Sequence, residues 1–157
     1  YFWDTWFYRR VRKHQDFIGV NYYMTNYITA RGAKNPLAPR NDLNWYMEPS
    51  AIGHVARRLW YKFKKPIIIT ENGVADDQDQ YRKWWLEETI NALADARKEG
   101  VDVAGYLHWS LLDNFEWAEG YWPKFGLIAV DRENGMKRTI RPSAKWLAGY
   151  LDTLKSK

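Results

Sequence analysis

The sequence predicts an α/β fold with parallel strands, because helical and strand patterns alternate along the chain. Three short apolar segments, rich in β-branched and aromatic residues, cover 17–23, 66–70 and 101–109. Such segments are typical of buried strands. Each follows a segment with helical spacing, and this order implies parallel strands joined by right-handed crossovers. Three strands cannot close a barrel of eight, so they form a small open sheet or one arc of a larger ring.

The predicted helices show apolar residues three and four positions apart and have recognisable ends. The first covers 2–14 and ends in a basic turn, and the third covers 79–99 and stops at Gly100, the position where glycine often ends a helix. The last begins at Pro142 and runs to about residue 154. The second begins near Pro49, since proline suits a first helical turn. Its apolar face consists of Ile52, Val55, Leu59 and Phe63.

The segments between these elements are of two kinds. Residues 24–48 contain glycine, prolines and several asparagines, which predicts a long irregular loop. Long loops without regular structure are usually functional or disordered, and the aromatic pair Trp45 and Tyr46 argues against disorder here. Residues 125–130, followed by the turn sequence at 133–135, predict a hairpin.

Composition excludes several classes of protein. Of the 157 residues, 46% are hydrophobic and 27% are charged, which excludes a disordered or fibrous chain and fits one globular domain. The net charge of +5 is spread over two helical segments, so we interpret the basic clusters as solvated helix faces and expect no nucleic-acid partner. No apolar run is long enough to span a membrane. The chain lacks cysteine, which excludes disulfides and thiolate zinc sites.

The start of the chain gives two further expectations. No secretory signal is visible, which together with the absence of cysteine predicts a cytoplasmic protein. The first residue is Tyr1 rather than methionine, so we expect the chain to be a segment of a longer protein.

Polar and aromatic residues gather where each predicted strand ends. Ligands of parallel α/β folds bind at the carboxyl ends of the strands. Carboxylates and amides can bind sugar hydroxyls while aromatic faces stack on the sugar's C–H face, so this set suits a polyhydroxylated substrate. No glycine-rich phosphate loop or metal-ligand spacing accompanies it, so we predict neither a cofactor nor a metal. The residues are Asn21, Tyr23, Glu71, His108, Trp109, Asp113, Asn114, Glu116, Trp117 and Glu119.

Each of these residues also has a purely structural interpretation. Glu71 precedes an Asn-Gly turn and could be a solvated carboxylate. Trp109 and Trp117 could be core residues, Tyr23 a buried tyrosine with a satisfied hydroxyl, and His108 a histidine bonded to backbone. Glu116 and Glu119 could belong to a charged loop surface. Their coincidence at three strand ends favours a site.

Five motifs occur in the order found in one enzyme family. They are Asp-Phe-Ile-Gly-Val-Asn-Tyr-Tyr at 16–23, Ile-Thr-Glu-Asn-Gly at 69–73, His-Trp-Ser-Leu-Leu-Asp-Asn-Phe-Glu-Trp at 108–117, Phe-Gly-Leu at 125–127 and Arg-Pro-Ser-Ala at 141–144. Over nearly the whole chain, they resemble the C-terminal part of glycoside hydrolase family 1, the β-glucosidases and β-glycosidases. The resemblance implies part of a (β/α)8 TIM barrel, strands six to eight with their helices. The whole chain, 1–157, would then be one segment of a single barrel domain.

The resemblance also implies roles for individual residues. Glu71 resembles the catalytic nucleophile at the end of strand seven, and Tyr23 the tyrosine whose hydroxyl contacts and tunes that nucleophile. The implied chemistry is retaining double displacement on a β-glycoside. The residues that would bind substrate are Trp109 as the sugar platform, Glu116 and Trp117 on the sugar hydroxyls, Phe125 closing the same subsite, Trp45 lining the leaving-group side and Asn21 as a supporting amide.

One essential part of that family's site is missing from the sequence. The family's acid/base glutamate lies in an Asn-Glu-Pro motif after strand four, and the nearest string here is Met-Glu-Pro at 47–49, in the strand-six loop. We therefore expect the chain to be inactive alone and to be complemented by the N-terminal part of the barrel. Two other functions stay open, a non-catalytic sugar-binding fragment and a basic interaction protein. Glu116 followed by Trp117 resembles the pattern for an unphosphorylated sugar, without selecting which one.

Overall fold

The computed structural model describes residues 2–30, 32–34 and 38–155, and helices and strands alternate through most of them. A single 3-10 turn, Trp117–Glu119, lies in the loop after the fifth strand. The elements in chain order are α1 (Phe2–Val11), β1 (Ile18–Tyr22), β2 (Tyr27–Thr29), β3 (Gly32–Lys34), α2 (Ala51–Phe63), β4 (Ile67–Asn72), α3 (Arg82–Lys98), β5 (Val103–His108), β6 (Ile128–Asp131), β7 (Lys137–Ile140) and α4 (Pro142–Lys155).

The centre of the fold is a three-stranded parallel sheet in the order β1–β4–β5. The predicted α/β class with parallel strands is therefore confirmed. The register brings the strand ends together, since Asn21 pairs with Glu71, Tyr22 with Asn72, and Asn72 with His108. The register shifts between Val20 and Asn21, and this irregularity lies one residue before the end of β1.

One face of the sheet packs against α2 and α3. Because successive strand residues point to opposite faces, the β-branched residues of β1 and β4 place one apolar row toward these helices. Gly53 lets α2 approach α3 closely, since a Cβ at this position would lie 2.9 Å from the backbone oxygen of Ala92. The buried core includes Ile18, Val20, Tyr22, Ile52, Ala56, Leu59, Ile67, Ile69, Trp85, Leu93 and Ala96.

Local contacts set the ends of α3. The Asp76 carboxylate accepts hydrogen bonds from the backbone N–H groups of Gln80, Tyr81 and Arg82, and so satisfies donors that the first helical turn leaves free. At the other end, Gly100 has a φ of +87°, a conformation that glycine adopts without steric cost. The predicted stop of this helix at Gly100 is confirmed.

The segment predicted as a long irregular loop contains regular structure. β2 and β3 pair antiparallel within it, although position 31 between them lies outside the described residues, as do 35–37. Three-residue strands carry too little period-2 pattern to be read from sequence. The predicted C-terminal hairpin is confirmed as antiparallel β6 and β7, with its first strand beginning at Ile128 rather than at residue 125.

The other face of the sheet lacks such a cover among the described residues. Tyr106 and His108 of β5 point toward the helices, so Leu107 between them points to the opposite face, where 59% of its surface is exposed. Asn21 is exposed as well. None of the described helices has the length and apolar character needed to cross a membrane.

Candidate active site

The ends of β1 and β4 bring the predicted catalytic pair together. The Tyr23 hydroxyl donates a hydrogen bond of 2.7 Å to the Oε2 atom of Glu71. Glu71 lies in β4 and is half-buried, and its carboxylate has a side-chain partner in addition to any solvent. Burial, followed by the hydrogen bond to the Glu71 carboxylate, raises the pKa of Tyr23 above its ordinary value. The phenol therefore stays protonated and acts as a donor.

An aromatic cluster surrounds this pair. The Tyr23 ring lies edge-on to Trp45, with centroids 6.1 Å apart, and edge-on to Phe125, with centroids 6.0 Å apart. Trp45 and Phe125 are themselves 6.3 Å apart. Phe125 is buried, so three residues from distant parts of the sequence form one wall beside Glu71. The structure thus groups Trp45 and Phe125 with the pair.

Glu116 contributes a second carboxylate to the same electrostatic environment. Burial raises the pKa of Glu116, and repulsion from the carboxylates of Glu71 and Glu119 raises it further. Glu116 also contributes to raising the pKa of Tyr23. Its backbone N–H donates to the carbonyl of Gly120, which fixes the loop at this point. The carboxylates of Glu71, Glu116 and Glu119 are therefore close enough to interact electrostatically.

The two predicted tryptophans occupy different environments. Trp109 is half-buried and is the first residue after β5. Its backbone N–H donates to the carbonyl of Asn72, which places Trp109 beside the end of β4. The Trp109–Ser110 peptide bond is cis. Trp117 is 82% exposed and has a φ of +42°, so its interpretation as a core residue is wrong. A bulky residue in this left-handed region is strained, and such strain occurs often at binding sites.

Asn21 lies next to Glu71 in the register, but its side chain bonds elsewhere. Its Oδ1 atom accepts a hydrogen bond of 2.7 Å from the Thr70 hydroxyl. The amide therefore links β1 to β4 on the face opposite the helices. Asp113 and Asn114 were expected among the site residues, but their side chains hold the loop in place. Asp113 is buried against Arg141, and Asn114 donates to the Ser110 hydroxyl.

His108 was expected to bond to backbone if it is structural, but its hydrogen-bond partner is a side chain. Its Nδ1 atom lies 3.2 Å from the Tyr106 hydroxyl rather than against backbone. Burial, followed by the positive charge of Arg82, lowers the pKa of His108 to about 3. The imidazole is consequently neutral at ordinary pH.

We expect His108 to make the protein less stable as the pH falls. Its ordinary pKa of 6.5 drops to about 3 on folding, so the unfolded chain binds a proton first. The contribution of neutral His108 to the free energy of unfolding is fully present above pH 6.5. It decreases on acidification by up to about 1 kcal/mol per pH unit. Urea unfolding from pH 7 to about pH 4.5 measures this slope. The slope should be smaller for His108→Gln, and equal slopes would contradict the prediction.

Sequence reasoning missed the role of Asn72. It was treated as part of a turn, whereas it is fully buried in β4 and contacts three other elements. The available signal was a polar residue at the end of an apolar strand. Among the described residues, histidine, aspartate and glutamate form no group of three that could hold a metal ion.

Comparison with known families decides what this arrangement belongs to. The profile described as Glycosyl hydrolase family 1 matches residues 7–155. The chain belongs to this family. A β-galactosidase of Sulfolobus acidocaldarius is 38% identical over 138 residues, which is 77% of this chain and 28% of that protein. A chloroplast galactolipid galactosyltransferase of Arabidopsis thaliana is 40% identical over 132 residues, 82% of this chain and 21% of that protein.

Solved structures of the glycosyl hydrolase family 1 agree with the fold. A β-glucosidase of Pyrococcus furiosus has 38% identity and a TM-score of 0.82, over 92% of this chain and 35% of that one. A β-glucosidase of Thermotoga maritima in complex with glucoimidazole has 31% identity and a TM-score of 0.84, over 92% and 36% of the two chains. The chain thus spans about a third of the length of these structures.

Proposed function

We propose that this chain is the nucleophile-bearing part of a retaining β-glycosidase. The observation that carries the proposal is the 2.7 Å hydrogen bond between Tyr23 and Glu71 at the carboxyl ends of adjacent parallel strands. Active sites of (β/α)8 barrels form at that end of the strands. The family's β-glucosidases and β-galactosidases support a β-linked sugar as substrate.

The reaction has two displacements. The Glu71 carboxylate attacks the anomeric carbon and forms a glycosyl ester, while an acid gives its proton to the departing oxygen. Water then attacks the same carbon, gives its proton to the conjugate base of that acid and releases Glu71. The Tyr23 hydroxyl orients the attacking carboxylate in the first step and donates to it again when it leaves in the second. Two inversions restore the β configuration.

The remaining site residues bind the sugar. Trp109 would supply the platform beneath the sugar ring, while Glu116 and Trp117 bind its hydroxyls. The exposure and strained backbone of Trp117 suit a residue that meets a ligand. Phe125 closes this subsite, Trp45 lines the leaving-group side, and Asn21 supports the end of β1 through its contact with Thr70.

The acid must come from the rest of the barrel. A retaining enzyme needs its two carboxyl groups about 5–5.5 Å apart, and this sequence contains no Asn-Glu-Pro motif. We propose that β1, β4 and β5 are strands six to eight of a barrel whose other strands cover the exposed face bearing Leu107 and Asn21. An apolar side chain such as Leu107, 59% exposed on a sheet face, fits the interior of a ring. The chain alone would be inactive.

Transfer to a second sugar is the other outcome that the same chemistry allows. The galactosyltransferase among the relatives is 40% identical to this chain. A sugar hydroxyl that replaces water in the second displacement would give a new glycoside from the same intermediate. Product analysis with and without a galactoside acceptor distinguishes transfer from hydrolysis.

Trapping the intermediate tests the proposal. The protein is used as the complete barrel, either as a longer chain containing these residues or by co-expression with a chain supplying the other strands. An activated 2-deoxy-2-fluoro β-glycoside forms a glycosyl-enzyme that hydrolyses slowly, because fluorine destabilises both oxocarbenium-like transition states. We expect one fluoro-sugar on the peptide containing Glu71, and none in Glu71→Gln. Labelling of another carboxylate would refute the assignment, and sugar binding without labelling or turnover would indicate a binding fragment.

A further inference from the structure

Asn72 is the residue after the proposed nucleophile, and it is fully buried. Its position in β4 follows Glu71, and its register partners are Tyr22 in β1 and His108 in β5. A buried amide needs partners for both its donor and its acceptor atoms, because an unpaired polar group in the interior costs free energy. The partners of Asn72 connect all three strands.

The hydrogen bonds fix the amide in one orientation. The indole Nε1 of Trp85 can only donate, and it lies 2.9 Å from the Oδ1 atom of Asn72. The Thr89 hydroxyl lies 3.4 Å from the same oxygen. The Nδ2 group is thereby directed to the backbone carbonyl of Tyr22, at 2.7 Å. Reversing the amide would place two donors face to face at Trp85.

A second series of hydrogen bonds ends at the same oxygen atom of Asn72. The Tyr106 hydroxyl lies 3.0 Å from Asn72 Oδ1 and 3.2 Å from His108 Nδ1. Its single proton goes to Asn72, because the amide oxygen can only accept. His108 must therefore donate from Nδ1, which agrees with a neutral imidazole. Asn72 thus receives donors from α3 and β5 while it donates to β1.

We propose that Asn72 is a positioning residue for the Glu71–Tyr23 pair. Its backbone adjoins Glu71, and its side chain holds the carbonyl of Tyr22, the residue before Tyr23. One buried side chain therefore ties together the two backbone segments whose side chains meet in the pair. This inference rests on the proposed function, since a positioning role matters only where Glu71 reacts.

The consequence is greatest for the chemical step. Displacement of a reacting group by about 1 Å can cost about a hundredfold in rate. Loss of the Asn72 amide frees the end of β1 relative to β4 and weakens the hydrogen bond from Tyr23 to Glu71. A residue that merely stabilised the fold would lower the melting temperature without acting specifically through Tyr23.

A double-mutant cycle in the complete barrel separates these roles. We expect kcat/KM to fall about tenfold to a hundredfold in Asn72→Ala and about threefold to tenfold in Tyr106→Phe. In a Tyr23→Phe background both further losses should be less than about twofold, because the contact through which they act is already gone. Ser143→Ala removes a buried hydroxyl that bonds Asp79 away from the pair, and it should change kcat/KM in neither background.

The division of the loss between kcat and KM is a second readout. A positioning residue acts on the chemical step, so Asn72→Ala should lower kcat while KM stays within about twofold of its original value. Ser143→Ala should change neither constant.

The outcomes distinguish this inference from the proposed function. Additive losses in the cycle, with an unchanged kcat in Asn72→Ala, would overturn the positioning role while leaving Glu71 as nucleophile. Full turnover by Glu71→Gln would overturn the proposed function itself. If Asn72→Ala does not fold, the Tyr106→Phe cycle decides alone, because that change removes one hydroxyl and retains the ring.

Discussion

Replacing Glu71 by glycine is expected to lower kcat of the complete barrel by about four orders of magnitude or more, since the proposed nucleophile is lost. Azide should then restore turnover, because the small anion fits the space of the missing side chain and attacks the anomeric carbon directly. A single displacement inverts configuration, so the product should be an α-glycosyl azide. Proton NMR of the product reads its anomeric configuration.

Two other glutamates serve as controls for this experiment. Glu116→Gln should lower kcat/KM because its proposed contacts with the sugar hydroxyls are lost, and azide should not restore it. Glu119→Gln should retain turnover, since its side chain contacts the indole of Trp122 at the loop surface. Azide rescue of Glu116→Gly rather than Glu71→Gly would exchange the proposed roles of the two carboxylates.

The parallel sheet could be predicted because its signal is local. Strands of a parallel sheet that is covered on both faces read as continuous hydrophobic runs, and the segment 66–70 is such a run. Ends marked by Gly100 and Pro142 could be read from backbone preferences alone. The β2–β3 hairpin could not, because strands of three residues are too short to show a periodic pattern.

The contacts within the site lay beyond local reasoning. Parallel strand ends predict that Tyr23 and Glu71 are neighbours, but not that the hydroxyl donates to Oε2. The hydrogen bonds of Asn72 are harder still to predict from sequence, because two of its partners, Thr89 and Tyr106, lie 17 and 34 residues further along the chain. Asp113 shows the converse error. Its position in a polar loop suggested chemistry, whereas its burial depends on Arg141, which sequence alone could not assign to it.

Replacing Asp113 by alanine is expected to lower the free energy of unfolding by about 3–5 kcal/mol, the usual cost of breaking a buried ion pair. The Arg141 guanidinium donates to both Asp113 oxygens, at 3.0 and 3.1 Å. The same carboxylate accepts from the backbone N–H groups of Gly126 and Val130. The change would remove the buried carboxylate that neutralises the Arg141 guanidinium and would leave the two backbone donors without it. Urea denaturation of the complete barrel measures the loss.

The pair of Arg57 and Glu99 provides a matched control. It has the same two-pronged geometry, with both hydrogen bonds at 2.6 Å, but the Glu99 side chain is 51% exposed. Glu99→Ala should therefore cost much less than Asp113→Ala, because water solvates the freed guanidinium. Equal losses at the two sites would mean that burial does not set the cost. A larger loss at Asp113 would show that the loop carrying Glu116 and Trp117 is anchored by Arg141, the residue before α4, rather than by its own exposed side chains.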